Sequence, residues 1–144
     1  MGDGANAPLD AKRQELATIL ESLLTHIEPT VVFYTLQEGR ADFRASVKTI
    51  EELERLMASP IGPIAEAAAT ARFSLKGAAA KGTKALALAR FNADPQRRVR
   101  HAACQHLGEP RYKGQRDVLN ALLDAAKREG EEGLIRTCAA REAG

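Results

Sequence analysis

The sequence predicts an all-α fold of stacked helical pairs, and three features of its 144 residues carry this prediction. Ala and Leu dominate the apolar side chains and aromatic residues are only 4 % of the chain, a composition that favours helices because these side chains lose little entropy there. Apolar residues recur at three- and four-residue spacing, which is typical of amphipathic helices. Similar stretches also recur every 35 to 36 residues, the period of helical-pair repeats.

In the N-terminal third, the sequence predicts short helical elements that follow a polar tail. Residues 1–9 are expected to be a flexible tail, and a helix is expected from about Asp10 to His26, with Asp10 as its cap. Pro29 suits the start of a further helix that ends at Gly39. The Val, Phe and Tyr residues between them have strand propensity, but a lone strand would have no partner to pair with. Residues 42–47 predict another turn or short helix.

The centre of the chain predicts a first helical pair. Thr49 offers an N-cap hydroxyl ahead of two glutamates, so a helix is expected from there to Ser59. A second helix is expected over 61–75, beginning near Pro63. Residues 77–82 are rich in Ala and Lys and predict a flexible basic link.

The C-terminal half predicts two further pairs, with turn residues between the helices. Asp94 is expected to cap the next helix and Pro95 to take its first position. Gly108 is expected to close that helix in a left-handed conformation. The four helices are expected at 83–91, 97–107, 115–127 and 134–142.

Residues 49–144 resemble HEAT-like repeats of the short, Ala-rich variety. Asp94–Pro95 followed by Val99–Gly108 (Val-Arg-His-Ala-Ala-Cys-Gln-His-Leu-Gly) is a close match to the repeat pattern, and Leu134–Gly144 is a second match without the Asp-Pro turn. The segment before residue 76 matches more weakly, because Ala65 stands where the pattern has arginine.

The resemblance implies a short α-solenoid of stacked helical pairs, with an irregular α-helical bundle as the alternative. It divides a single helical domain, 10–144, into N-terminal helices or a cap over 10–48 and HEAT-like repeats over 49–144. It also implies that Asp94, Arg100 and Arg136 make hydrogen bonds between successive repeats. Stacks of this kind usually bind other macromolecules and seldom catalyse reactions.

The charge of the chain is strongly segregated. Residues 72–116 carry eleven basic and two acidic side chains, a net charge of +9, whereas residues 1–71 carry −5 and residues 117–144 carry −2. In a stack the basic segments would be adjacent, so we expect one basic face that binds a partner. Its predicted residues are Lys81, Lys84, Arg90, Arg97, Arg98, His101, Arg111, Tyr112, Lys113 and Arg116.

No pattern in the sequence predicts catalysis, a metal or a cofactor. Gly77–Lys84 approaches a phosphate-binding loop, but its final Thr and Lys are exchanged and no strand precedes it. The histidines do not have metal-ligand spacing, and the two cysteines predict small buried side chains rather than a disulfide or zinc site. These residues are His26, His101, His106, Cys104 and Cys138. We therefore expect a non-catalytic protein.

The predicted function is macromolecular interaction, as a protein-binding scaffold or a small subunit of a larger assembly. The alternative is nucleic-acid binding through the same basic face, which the scarcity of aromatic residues makes less favourable. The last predicted helix leaves one end of the stack open, so we hypothesise a homodimer or a docked partner at the C-terminal repeat. No signal peptide and no apolar run of about 20 residues is evident, which predicts a cytoplasmic protein that is not membrane-bound.

Overall fold

The computed structural model describes residues 3–144, with side chains from Pro8 onward, and this part of the chain is all-helical as predicted. It contains no strand, and none of its helices combines the length and apolarity needed to cross a membrane. Short 3-10 turns occupy Gly77–Gly82 and Pro110–Tyr112. The α-helices are α1 Asp3–Leu23, α2 Pro29–Glu38, α3 Val47–Met57, α4 Gly62–Phe73, α5 Thr83–Ala93, α6 Arg97–Leu107, α7 Arg116–Lys127 and α8 Gly133–Ala143.

The N-terminal helices differ from the prediction in where they begin. Helix α1 begins at Asp3 instead of Asp10, so most of the predicted tail is helical; the alanines in this stretch favour helix. Met1 and Gly2 of that tail lie outside the described residues. The predicted short helix after Pro29 is confirmed, because α2 ends at Glu38 and the N–H of Gly39 donates to the carbonyl of Thr35 at 2.9 Å.

Helix α3 is capped by Ser46, not by Thr49 as predicted. The hydroxyl oxygen of Ser46 accepts the N–H of Thr49 at 3.1 Å. The Thr49 hydroxyl is buried and donates to the Glu21 carboxylate at 2.6 Å, as does the Ser46 hydroxyl. These two hydrogen bonds lower the pKa of Glu21 and attach α1 to the start of α3.

The helices pack as consecutive pairs and as a layer. Helix α3 packs on α4, α5 on α6, and α7 on α8. The second helix of each pair also contacts the next, α4 with α6 and α6 with α8, and α2 packs on α4. The even-numbered helices therefore form a continuous layer in chain order. The largest fully buried side chains are Phe91, Leu24, Leu36, Leu53, Met57, Leu107, Ile135 and Val99.

Small residues allow the even-numbered helices to approach closely. Ala65 and Ala68 of α4, Ala103 of α6 and Ala139 of α8 are fully buried. Alanine at a helix crossing leaves room for the backbone of the neighbour. Ala65 is one of these buried alanines, and it occupies the position where the repeat pattern has arginine. The space between the helices has no room for an arginine side chain at this position unless the helices move apart.

Arg100 and Arg136 make equivalent hydrogen bonds in consecutive helical pairs. The Nε of Arg100 donates to the carbonyl of Phe91 at 3.2 Å, and the Nε of Arg136 donates to the carbonyl of Ala126 at 3.0 Å. Each guanidinium thus binds the end of the preceding helix, where carbonyl groups lack helical partners. Arg100 also donates to the carboxylate of Glu131, which precedes α8 in the next helical pair, whereas the resemblance implies an aspartate as the acceptor.

Asp94 does not take part in that bond, contrary to the prediction. Its carboxylate accepts the N–H of Gln96 at 2.8 Å and the guanidinium of Arg90 at 2.9 Å, both within its own pair. Helix α6 begins at Arg97 with Gln96 as its N-cap residue, so Pro95 precedes the helix instead of opening it. Glu131, which follows α7 in the next pair, provides the acceptor instead.

Gly108 ends α6, but not in the predicted left-handed conformation, since its φ is −81°. A Cβ atom at this position would meet the carboxylate end of the Glu142 side chain on α8, which is flexible and would have to move aside. We expect Gly108→Ala to lower the free energy of unfolding by about 0.5–1 kcal/mol, the cost of displacing that side chain. Urea denaturation of Gly108→Ala with and without Glu142→Ala tests this. Failure of Glu142→Ala to relieve the loss would contradict the steric explanation.

Candidate docking surface

The structure divides the predicted basic face between two ends of the helical pairs. Lys84 near the start of α5 lies 2.8 Å from Asp117 near the start of α7, so these two helices begin at the same end. Arg97 at the start of α6 lies 3.4 Å from Glu132, which caps α8, at the opposite end. Helix α5 has 11 residues and is about 16 Å long. The prediction of one continuous patch is therefore wrong.

The first group of basic side chains is paired with acidic side chains of neighbouring elements. We call it the paired end; it comprises Arg90, Arg97, Arg98 and His101. Arg98 lies 4.0 Å and His101 lies 3.4 Å from the carboxylate of Glu66 on α4, while Arg97 faces Glu132 and Arg90 faces Asp94. These cations join α4, α6 and α8 electrostatically, and they add little positive potential for a partner.

The second group retains unpaired positive charge. We call it the basic edge; it comprises Lys81, Lys84, Arg111, Lys113 and Arg116. Lys84 pairs with Asp117, and this contact lowers the pKa of the Asp117 carboxyl; Arg111 pairs with Glu109 at 2.6 Å. The remaining three are exposed and form no ion pair with any side chain that the structure describes. The N-termini of α5 and α7 add positive potential at the same edge.

Tyr112 is buried, so it is not the exposed aromatic side chain that the prediction placed on the basic face, although it lines the apolar groove that adjoins the basic edge. Its side chain is 8 % exposed, and its hydroxyl shares a hydrogen bond of 2.8 Å with Nε2 of His106. Burial raises the pKa of the Tyr112 phenol and lowers the pKa of the His106 imidazole. The aromatic ring is therefore used in packing and is not available to stack on a base.

An apolar groove adjoins the basic edge. It has a volume of about 550 Å³ and lies where α6 ends and α7 and α8 pack together. Leu107, Val118, Leu119 and Leu122 provide most of its apolar wall, and Lys113 of the basic edge lines it too. Leu119 is 40 % exposed, so apolar surface in the groove reaches solvent. The groove has no signature in the sequence, because its wall comes from three separate segments.

The two cysteines are buried, as predicted, but they also lie against each other across α6 and α8. The thiol of Cys138 and burial both raise the pKa of Cys104, whereas contact with Cys104 and with Arg141 lowers the pKa of Cys138. Nη2 of Arg141 lies 3.8 Å from the sulfur of Cys138. Within the described residues, no cluster of three or more His, Cys, Asp or Glu side chains is arranged to hold a metal ion.

Comparison of the chain with protein-family models, with curated proteins and with solved structures finds no match. Function is therefore inferred from the chain's own residues. The surface with the most distinctive chemistry is the basic edge together with the groove beside it, where Lys113 lines the groove and Leu119 is its exposed apolar side chain.

Proposed function

We propose that the protein is a non-catalytic docking module, a short HEAT-like solenoid that acts as a scaffold or as a small subunit of a larger assembly. Its partner is a protein segment that combines acidic and apolar side chains. The acidic side chains would face the basic edge and the apolar ones would enter the adjoining groove. The observation that carries this proposal is the position of Lys113, an unpaired cation of the basic edge that lines the groove in which Leu119 is exposed.

The solenoid part of the proposal is supported by repetition in the structure. Arg100 and Arg136 bind equivalent carbonyls in consecutive pairs, and the layer of even-numbered helices follows chain order. A stack of this kind buries its core between neighbouring pairs and leaves the loops at either end available for binding. The basic edge consists of residues in and next to such loops.

A protein segment fits this surface better than a nucleic acid does. In the nucleic-acid alternative, the cations of the basic edge would bind the phosphate groups of the backbone. Single strands and loops also need exposed aromatic rings to stack on, but Tyr112 is buried against His106. A duplex would leave the apolar groove unused, whereas an acidic segment with leucine side chains would use both features.

The experiment compares three fluorescent probes: an acidic peptide with leucines at helical spacing, a DNA duplex and an RNA duplex. We expect the peptide to bind at physiological salt, and Lys113→Glu/Arg116→Glu to weaken it about tenfold, since two favourable charge contacts become repulsive. Lys48→Glu/Lys127→Glu makes the same change in net charge at exposed positions away from the basic edge, and it should leave the affinity nearly unchanged.

The result that would contradict this proposal is duplex binding that survives physiological salt, is lost in Lys113→Glu/Arg116→Glu and exceeds peptide binding. It would assign the same residues to phosphate backbones. Equal loss of peptide binding in the two variants would show that net charge, and not the basic edge, controls association. Leu119→Ala tests the groove separately, because it removes apolar contact without changing charge.

A further inference from the structure

One buried histidine contacts the loop between α6 and α7 at two points. His106 lies in the last turn of α6 and is only 7 % exposed. Its Nδ1 lies 2.9 Å from the carboxylate of Glu109, and its Nε2 lies 2.8 Å from the hydroxyl of Tyr112. Both partners belong to residues 109–114, which we call the docking loop. The imidazole therefore attaches the docking loop to the helix before it.

These hydrogen bonds define the protonation state that suits the closed loop. Glu109 is an ionised carboxylate whose other oxygen accepts the guanidinium of Arg111 at 2.6 Å. Because a carboxylate can only accept, Nδ1 of His106 carries a hydrogen and donates it to Glu109. In a neutral ring Nε2 is then an acceptor, and the Tyr112 hydroxyl donates to it. A proton added at Nε2 would take the place of that hydroxyl hydrogen, so the closed loop is matched to a neutral imidazole.

The surroundings of His106 also disfavour its charged form. The rings of Phe73 on α4 and of Tyr112 lie against the imidazole, with centroids 5.3 and 5.2 Å away. Burial lowers the pKa of His106 below the ordinary 6.5 and Arg111 lowers it further, while Glu109 acts in the opposite direction without reversing the shift. An opened loop would leave the imidazole in water, where its pKa is the ordinary one.

The other elements around this site bring no counter-charge to His106. Helix α4 contributes only uncharged side chains to a cavity of about 290 Å³ beside the ring. Within the described residues, Glu109 is the sole ion-pair partner of His106. The charged side chains that neighbouring elements bring to this region are Arg40 after α2, which lines the same cavity, Lys84 of α5, which pairs with Asp117, and Arg141 and Glu142 of α8, which pair with each other.

We propose that the docking loop is an acid-sensitive switch of the docking surface, which closes on neutral His106 and opens when His106 binds a proton. This inference rests on the proposed function, because the docking loop forms part of the groove wall. Tyr112 and Lys113 line that groove, so opening would remove a packed ring and an unpaired cation from it. The partner segment would therefore bind near neutral pH and dissociate on acidification.

The direction of the pH dependence follows from the lowered pKa of His106. With the loop open, the imidazole takes up a proton as the pH falls below 6.5, whereas in the closed loop it does so only at lower pH. The free energy of closure is therefore fully available above pH 6.5 and is lost as the pH falls below it.

Tyrosine fluorescence of the full chain tests the switch without any partner. The chain has no Trp and two Tyr, so Tyr34→Phe leaves Tyr112 as the only emitter. Acrylamide should quench Tyr112 weakly at about pH 7.5 and several-fold more strongly at about pH 5.5, with an unchanged helical circular dichroism spectrum. His106→Gln should abolish this pH dependence. His101→Gln is the matched control, because His101 faces Glu66 outside the docking loop, and it should retain the pH dependence.

A second variant covers the case in which His106→Gln does not fold. Tyr112→Phe removes the hydroxyl that donates to Nε2 and leaves the titrating ring in place. The pKa of His106, followed by NMR of its ring protons, should then be higher than in the wild-type chain, because a hydrogen bond to the neutral form is lost. An unchanged pKa in Tyr112→Phe would contradict the role given to this hydroxyl.

Peptide affinity at the same two pH values connects the switch to docking. The acidic leucine peptide, made with aspartates so that it stays ionised, should bind wild type and His101→Gln more weakly at about pH 5.5 than at about pH 7.5. A peptide that binds at neither pH would contradict the docking proposal, while pH-dependent quenching would still support the switch. Weak quenching of Tyr112 at both pH values would overturn the switch, and so would a pH dependence that persists in His106→Gln and disappears in His101→Gln.

Discussion

Replacing Glu131 with glutamine is expected to lower the free energy of unfolding by about 3 kcal/mol. The Glu131 side chain is only 3 % exposed and accepts hydrogen bonds from the guanidinium groups of Arg100 and Arg128, the latter at 3.1 Å. Its other oxygen accepts the N–H of Glu132 at 3.0 Å. Arg100 is itself 16 % exposed, so the substitution leaves a largely buried cation without a counter-charge.

Glu132→Gln is the matched control for Glu131→Gln. Glu132 is the next residue, and it pairs with Arg97 at 3.4 Å where both side chains are half exposed. Exposed pairs of this kind contribute about 0–1 kcal/mol. Urea denaturation of the two variants should therefore separate them clearly. Equal losses would show that burial does not distinguish the two carboxylates.

The contribution of Glu131 should also depend on pH. Burial alone would raise the pKa of the Glu131 carboxyl, but Arg100, the N–H of Glu132 and Arg128 outweigh it and hold the pKa below the ordinary 4.5. A carboxyl whose pKa is lowered by folding stabilises the protein above its unfolded pKa and loses that effect as the pH falls through the folded value. The stability difference between wild type and Glu131→Gln should thus be constant near neutrality and shrink below pH 4.5.

Arg72→Leu is expected to have a large effect of the opposite sign, raising the free energy of unfolding by about 1–3 kcal/mol. Arg72 is 9 % exposed, and its Nε and Nη1 are buried without a hydrogen-bond acceptor among the described residues. Leu107, which lies 35 residues later in the chain near the end of α6, is fully buried. A leucine at position 72 would likewise place an apolar side chain in a buried position near the end of α4.

Thermal unfolding of Arg72→Leu beside Lys76→Leu measures this gain. Lys76 is exposed at the end of the same segment, so its replacement should change the melting temperature little. A lower melting temperature for Arg72→Leu would contradict the prediction and would show that the guanidinium contributes more to stability than its unpaired nitrogens cost.

Local patterns in the sequence predicted the elements of the fold well. Apolar spacing located α3 to α8 to within a few residues, and the absence of a pairing partner correctly made α2 a helix instead of a strand. These features depend on helical periodicity and on residues near one another in the chain. The start of α1 was predicted less well, because alanine propensity extends the helix beyond its amphipathic part.

The contacts between helical pairs could not be predicted in the same way. Gly108 is predicted to have a left-handed conformation, whereas its φ is −81° and it faces Glu142 on a different helix. The resemblance implies that Asp94 bonds to an arginine of the next pair, while the acceptor that bridges two pairs in the structure is Glu131. A pattern specifies that a glycine or an arginine occupies a position, but the neighbour in space depends on how the pairs stack.

For this protein, the sequence alone determined that the chain is helical, where most helices lie, and that its basic residues are concentrated in the centre. Only the tertiary structure decided which of those cations keep a free charge. Helices that reverse direction send nearby residues in the chain, such as Arg97 and Lys113, to opposite ends, and distant acids such as Glu66 and Glu132 then neutralise one end. The charge of a side chain follows from its residue type, whereas helix packing determines whether an opposite charge lies beside it.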